Sequence, residues 1–486
     1  LKRNRKTERV ASLLYSQCVK KGTKSIRLIN KLCPLGKTFF TLTQQDTEET
    51  PYSFGYGFYK NRRREQAVLV HHAVTGRIRR YVLDLNQREK TKWSFISTLR
   101  DISNAFPSLS YASMDETLKL NKEDDTDVQR KHKLLLKHRY THMNVSISTK
   151  QGEGILMRPK CGGAQGDVGM PTLFRRTYEP VLAQWIHLKK ETLPSITGLD
   201  PLTQEELDVS VTVYADDVKE INMASTATEA ISTISTSTEI LNTQLVNLTL
   251  KQNEGKAEHV PSFLGTGQEK LTKAFTTNVT ELGIGTSKSV ARYLGNFCTY
   301  DNHNKTIVDT RTYKAKEAFY SLGRLWKTNI TRSIRCMTYK GYVTNALLTG
   351  LECEALRHCD IQKLELCQNH LMRRALNGTG NKMVDEVMHQ TNNEEARKLM
   401  RIFTVHSTIR ARRLKWIHNI IEHLQKTHNL EQQWEGNSRR ERVPSRNRIS
   451  NGFTSYMKIR LPYWKKGSDN LDKERSATFT LYDKTS

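Results

Sequence analysis

Apolar residues along this chain recur at two spacings, and each change of spacing marks an element. In residues 63–83 (RREQAVLVHHAVTGRIRRYVL), Ala67, Leu69, Val70, Ala73 and Val74 form one broad apolar face, which predicts a helix. A polar connector follows, then a strand-like run from Trp93 to Leu99 that ends in Asp101. Residues 115–139 predict a solvated helix, acidic first (Glu123, Asp124, Asp125, Asp127) and basic afterwards (Arg130, Lys131, Lys133). Another helix is predicted from Pro171 to Trp185. Val209 to Val213 alternates and runs into Tyr214-Ala-Asp-Asp217, a strand–turn–strand pattern. Residues 222–246 are rich in Ser and Thr, yet Ala227, Ala230, Ile231, Ile234, Ile240 and Leu241 keep helical spacing. Residues 312–425 read as helical throughout, with Trp326, Leu347, Leu348, Leu364, Leu371 and Trp416 as expected core. Beyond residue 430 the chain turns basic and polar (SRRERVPSRNR), and poor order is expected there.

The chain has 486 residues, enough for two or more packed subdomains. Its hydrophobic fraction of 37% is low for a compact globule and implies a wet surface without global disorder. Charge changes the picture more. Lys and Arg number 77 against 50 Asp and Glu, a net charge of +27. Such an excess draws polyanions, because each neutralised phosphate releases condensed counterions. Nucleic acid is therefore the leading partner, with mere solubility or an acidic membrane surface as alternatives. Eight cysteines show no short paired spacing. Cys353, Cys359, Cys367 and His370 cluster loosely in a stretch that reads as helix and lack the CxxC pair of a zinc site. Buried thiols, no disulfide framework and a reducing intracellular compartment are expected. There is no signal peptide and no apolar run of ~18 residues, so no membrane partner is expected. The chain opens on Leu1, which reads as a piece of something longer.

The candidate chemistry lies in the acidic residues. Joining nucleotides needs two divalent ions about 4 Å apart, one to activate a 3′ oxygen and one to hold the triphosphate. Hard cations such as Mg²⁺ take carboxylate oxygens. Aspartates from separate strands must then converge, and a tight turn between two strands displays a pair well. Asp216 and Asp217, after the alternation ending at Val213, meet that demand, and Asp101 is the natural third carboxylate. Taken singly, each aspartate reads equally as a turn former or a helix cap.

Other segments stand in an ordered series with these aspartates, and together they resemble reverse transcriptases of non-LTR (LINE-type) retrotransposons. Arg100 to Phe106 (RDISNAF) is similar to the first catalytic motif of that family. Gly162 to Pro171 (GGAQGDVGMP) with Leu173 and Phe174 resembles its Gln-Gly…Pro-x-Leu-Phe motif, and Tyr214 to Asp217 (YADD) its YxDD box. Leu250 to Lys256 (LKQNEGK) resembles the next motif, and Tyr293, Leu294 and Gly295 the primer-grip segment. Further on, Leu348 to Glu352 and Arg412 to Trp416 resemble the thumb and the region after it. Upstream, Gly57 and Phe58 with Arg62 to Arg64 resemble the stretch before the first motif, and Arg27 with Gly36 and Lys37 the fingers segment that touches the triphosphate. The catalytic boxes are the specific part of this likeness.

The resemblance implies roles. Asp101, Asp216 and Asp217, with Ile102 beside the first, would hold two Mg²⁺ ions, Mn²⁺ being a substitute. Phe106, five residues past Asp101, would lie under the sugar and reject a ribose 2′-OH; the plainer reading is core packing. Gln165, Gly166 and Tyr214 would lie against template and incoming base, with Arg27 on the triphosphate. Lys256 would donate a proton to, or balance, the departing pyrophosphate; a solvated lysine is the plainer reading. Some positions depart from the family pattern. Arg100 stands where an apolar residue is usual, Asp167, Val168 and Gly169 where small or Ser/Pro-type residues are usual, and Lys219 and Glu220 where apolar residues are common.

The implied fold is an α/β right-hand polymerase with a palm carrying a small antiparallel sheet. Residues 1–92 would be a basic fingers region, 93–300 the palm with a fingers insertion near 115–160, and 301–380 a helical thumb. Residues 381–430 would form a helical C-terminal region and 431–486 a loosely ordered tail. The implied activity is RNA-directed DNA polymerisation, with an RNA template, a DNA primer or target and dNTPs as partners; a nuclear location is implied by the family alone. Three alternatives stay open: a catalytically decayed nucleic-acid-binding remnant, an RNA-dependent RNA polymerase, and a group II intron maturase.

Overall fold

The computed structural model describes residues 14–21, 25–31, 38, 52–59, 62–119, 127–142, 144–148, 154–163, 167, 169–199, 206–376, 382–384, 387–389, 391–427 and 459–460. The chain is α/β and mostly helical, and it divides into two compact units. One comprises Leu1–Arg62, Arg77–Lys288 and Asn451–Ser486, the other Arg63–Gly76 and Ser289–Ser450.

The first unit is built on a five-stranded sheet. Its order is Thr286–Ser287, Glu258–Ser262, Ser94–Arg100, Asp217–Ala224, Val211–Tyr214. Every neighbouring pair is antiparallel except the two outer strands Glu258–Ser262 and Thr286–Ser287. Ser94–Arg100 runs through the centre and is covered on both faces, which explains why its sequence does not alternate cleanly. On one side the Met170–Thr192 helix packs Leu173, Phe174, Tyr178, Leu182 and Trp185 with Val211, Val213 and Val218 of the sheet. A second cluster joins Ile96 and Ala224 to Ile231, Ile234, Phe275 and Val279. Each large apolar side chain buried this way contributes roughly 1.5–3 kcal/mol, so the sheet is a stiff base for the loops at its end.

The helices follow the spacing in the sequence, with shifts that have physical causes. The helix expected over 63–83 spans Arg64–Glu89. Its buried positions are Ala67, Val68, His71, Val74, Thr75, Ile78 and Val82, whereas Leu69, Val70 and Ala73 are only half-buried. The helix expected from Pro171 continues from Met170 to Thr192, with Pro171 in the first turn, where a missing N–H leaves no bond unmade. Residues 222–246 divide: Asn222 to Ala224 finish a strand, and the helix begins at Ala227 behind Thr226, whose hydroxyl accepts the Glu229 N–H at 3.1 Å. The described residues of the charged stretch 115–139 fall in two helices, Tyr111–Lys119 and Asp127–Thr141, and are not simply solvated, since Leu118 and Leu136 are buried, as is Tyr140 just beyond it; Glu123, Asp124 and Asp125 lie outside the described residues. A further sheet pairs Leu14–Lys21 with Ser25–Lys31 and Val145–Ser148, and Val145–Ser148 with Gly154–Met157.

The second unit is helical around one core that includes Trp326, Leu347, Leu348, Leu364 and Leu371. Trp416 is also buried. The stretch expected to be helical throughout is interrupted by a hairpin, Lys382–Val384 with Val387–His389. The two segments resembling the thumb region bind one another: Arg412 donates to the Leu348 carbonyl at 2.9 Å and Arg413 to that of Glu352 at 3.2 Å. Cys353 and Cys367 are buried as expected, but Cys359 is exposed on the first turn of the His358–Leu376 helix. Most of the basic tail beyond 430 lies outside the described residues; Ile459–Arg460 pairs with Thr197 and Gly198.

Candidate active site

The central strand pair sets the geometry. Its register runs from Ser94 opposite Ala224 to Arg100 opposite Val218, so one further step puts Asp101 across from Asp217. Cross-strand partners have Cα atoms about 4.5–5.5 Å apart. Tyr214 pairs with Asp217, leaving Ala215 and Asp216 as a two-residue turn. Ala215 has φ +60°, a left-handed conformation that costs on the order of 1–2 kcal/mol without glycine. A segment from Phe54 to Gly57 braces the turn. Tyr56 N–H donates to the Val213 carbonyl at 2.8 Å and Val213 N–H to that of Phe54 at 2.9 Å. A Cβ on Gly57 would stand 2.3 Å from the Ala215 nitrogen, so only glycine fits there.

The segment Leu250 to Lys256 lies along residues Asp101 to Ser103. Asn253 N–H donates to the Asp101 carbonyl at 2.8 Å, and Ser103 N–H to that of Lys251 at 2.9 Å. These two bonds flank the Ile102–Gln252 bridge, so the Ile102 carbonyl points away from this segment. The chain then turns through Glu254–Lys256 and brings the Lys256 ammonium to 3.2 Å from an Asp101 carboxylate oxygen. Lys256 is thus a partner of Asp101, not a lysine solvated alone.

Phe106 follows a left-handed Asn104 and stacks on Phe174 at 4.6 Å, with Phe58 edge-on at 5.9 Å. It is half-buried, with both packing and an open side. The Gly162 N–H donates to the Leu109 carbonyl and that of Gly163 to the Phe106 carbonyl, at 2.7 and 3.1 Å. Gly162 has φ +74°, and a Cβ there would meet the Pro107 carbonyl oxygen at 2.3 Å. Gln165 and Gly166 lie outside the described residues, as do Gly36 and Lys37; Arg27 lies on the Ser25–Lys31 strand. Tyr293 ends one strand of a hairpin in the second unit, and Leu294 and Gly295 form its turn at φ +48° and +84°. Two positive φ values make the turn that suits a twisted hairpin, and the Arg311 guanidinium donates to the Gly295 carbonyl at 3.3 Å.

Electrostatics tie the carboxylates together. Burial first, then the charges of Asp216 and Asp101, push Asp217 up to about 6. A neighbouring like charge disfavours the ionised form of a carboxyl in this way. Among the described residues, no three carboxylate, imidazole or thiol groups stand ready as a cage for one ion. The donor set of carboxylates fits a hard divalent ion such as Mg²⁺, and the Lys256 ammonium supplies one positive charge at Asp101.

The unusual charges beneath the site are bonded to each other. The Arg100 guanidinium meets the Glu220 carboxylate at 2.7 Å, and Lys189 reaches its other oxygen at 3.2 Å. Ser237 donates to the same carboxylate at 2.7 Å, while Arg100 also donates to Thr238 and Gln252 at 2.8 and 3.0 Å. Arg100 and Glu220 are at most 2% exposed. Burial alone would raise Glu220, but Lys189 and Arg100 hold it well below the usual carboxylate range. The buried Asp167 accepts the Gly169 N–H at 3.0 Å, just ahead of the Met170–Thr192 helix. The sequence marks Arg100, Asp167, Lys219 and Glu220 as departures and gives no sign of Lys189; Lys219 too is buried. A charge set within an apolar run marks a residue that needs a partner and does not say which partner that is.

No family profile matches the sequence, and no curated protein matches it. Among solved structures, the chain is similar to a telomerase from Candida tropicalis truncated from its C-terminal domain, with 11% identity and a TM-score of 0.37 over 60% of this chain. It is likewise similar to the apo telomerase of Candida tropicalis (10% identity, TM-score 0.40, 76% of this chain). A telomerase from Candida albicans, in complex with a TWJ fragment of telomeric RNA, gives 11% identity and a TM-score of 0.39 over 76% of this chain. The chain spans 54%, 66% and 65% of those three, in that order.

Proposed function

We propose that this chain is an RNA-directed DNA polymerase of the non-LTR retrotransposon kind, extending a DNA primer with dNTPs on an RNA template. The observation that carries the reading is the strand register that ends with Arg100 opposite Val218, one residue before Asp101 and one after Asp217, with Asp216 in the adjoining turn. Bound Mg²⁺ would supply charge neutralisation and an activated primer oxygen. Asp101, Asp216 and Asp217 would hold it, with Ile102 contributing from the backbone. The Lys256 ammonium, already at Asp101, is placed to balance the charge of the departing pyrophosphate. Phe106, backed by Phe174, presents a ring to the sugar and disfavours a 2′-OH. Gln165, Gly166, Tyr214 and Arg27 would face template, base and triphosphate, and the Tyr293–Gly295 hairpin the primer.

The unusual charges leave a decayed copy open as an alternative. Arg100, Glu220 and Asp167 each have hydrogen-bonded partners, which favours a maintained site. The test is primer extension on an RNA template with the intact chain and with Asp216→Ala. Loss of about 10²-fold or more in rate is expected for the variant. Equal DNA yield from the two would refute the mechanism, and faster incorporation of rNTPs than dNTPs would select the RNA polymerase alternative.

A further inference from the structure

Under the turn that carries Asp216 lies a hydroxyl that packing does not explain. Tyr178, on the Met170–Thr192 helix, is 1% exposed and belongs to the core cluster with Ile102, Val213 and Val218, which neighbour the three aspartates in sequence. Its ring stacks at 5.1 Å on Phe174, which stacks at 4.6 Å on Phe106. A phenylalanine would fill the same space. Yet the residue is a tyrosine, and its Oη has no hydrogen-bond partner among the described residues. Buried hydroxyls without a partner are disfavoured unless another state of the protein supplies one. The charges that act on this hydroxyl are the Asp216 carboxylate, then the Arg100 guanidinium and the Asp217 carboxylate. Of the acidic groups whose charge acts on it, Asp216 comes first, and a neutral hydroxyl can donate to such a carboxylate.

We propose that Tyr178 is a positioning residue for the Asp216–Asp217 pair, its hydroxyl donating to the Asp216 carboxylate when the site holds divalent cations. The inference rests on the polymerase reading of these aspartates. Tyr178 touches no reacting atom in it. The hydroxyl orients a carboxylate that does, while the column of Phe106, Phe174 and Tyr178 links the ring at the sugar to the metal-binding turn. Outer partners of metal-binding carboxylates commonly govern affinity by 10-fold to 100-fold.

The experiment uses the full chain, Tyr178→Phe and Asp216→Ala, with Mn²⁺ as probe. Binding is read from the loss of the free-ion paramagnetic resonance signal, beside thermal melting and the kcat and KM of extension. For Tyr178→Phe, the expected result is Mn²⁺ binding weakened about tenfold, kcat lowered to match, KM for dNTP little changed, and an unchanged or higher melting temperature. Mn²⁺ binding equal to the parent, with Asp216→Ala clearly weakened, would overturn the proposal and leave the polymerase reading standing. If Asp216→Ala also binds Mn²⁺ like the parent, the metal site itself falls and the proposal falls with it.

Discussion

Asp217 and Gly57 show how single residues decide the behaviour of the site. Asp217 has an ordinary value of 3.8 and is pushed up to about 6 in the fold by burial and by Asp216 and Asp101. The folded chain therefore keeps a proton that the unfolded chain has lost. Its contribution to stability is fully present below 3.8 and is lost as pH rises through about 6. Protons and Mg²⁺ compete for the same oxygens, so the Mg²⁺ concentration for half-maximal extension should rise as pH falls from about 7.5 to about 5.5. A midpoint independent of pH across that range would contradict the coupled carboxylates. For Gly57→Ala, the added Cβ would stand 2.3 Å from the Ala215 nitrogen, against backbone that cannot rotate away. Displacement of the turn by about 1 Å should lower extension on the order of 10²-fold. Retained activity together with an unchanged melting temperature would show that the brace has slack.

At the scale of elements, the stiffness of the catalytic strands comes from charges as well as from apolar packing. Arg100, Glu220 and Lys189 join the central strand, its neighbour and the Met170–Thr192 helix under the sheet. Removing one member strands the others in a dry interior. Arg100→Leu should destabilise by about 3–5 kcal/mol, whereas Arg100→Leu, Glu220→Leu and Lys189→Met together should recover most of that loss. Denaturant unfolding of the two proteins checks this; a triple variant as unstable as the single one would mean that packing, not charge, is the cause. Residues 93–101 read as strand because of their apolar run, and 211–217 as strand and turn because of alternation before the two aspartates. The charges inside these elements did not announce their pairing. Arg100 and Glu220 are 120 positions apart, and their partnership depends on a register that period alone does not set.

For the whole molecule, the net charge of +27 has a direct consequence. If binding of primer and template rests on phosphate contacts, affinity should fall at least about 10³-fold between ~50 and ~200 mM salt. On the proposed function, Asp216→Ala should keep that salt dependence while losing extension, since ion release belongs to basic side chains and not to this carboxylate. Nitrocellulose or anisotropy titrations at several salt concentrations measure it, and a flat salt dependence would remove nucleic acid as the partner that the charge implies. The sequence by itself determined the chemistry on offer: aspartates at 101, 216 and 217 and the helical and strand periods around them. It did so because residue type and short-range spacing are local properties. Only the tertiary structure decided that Arg100 lies opposite Val218, one step from Asp101 and Asp217, that Lys256 rests on Asp101, that Arg100 and Lys189 share Glu220, and that the buried Tyr178 hydroxyl has no hydrogen-bond partner among the described residues. Each of these depends on which strand lies beside which and in what register, which the packing of distant segments against one another fixes.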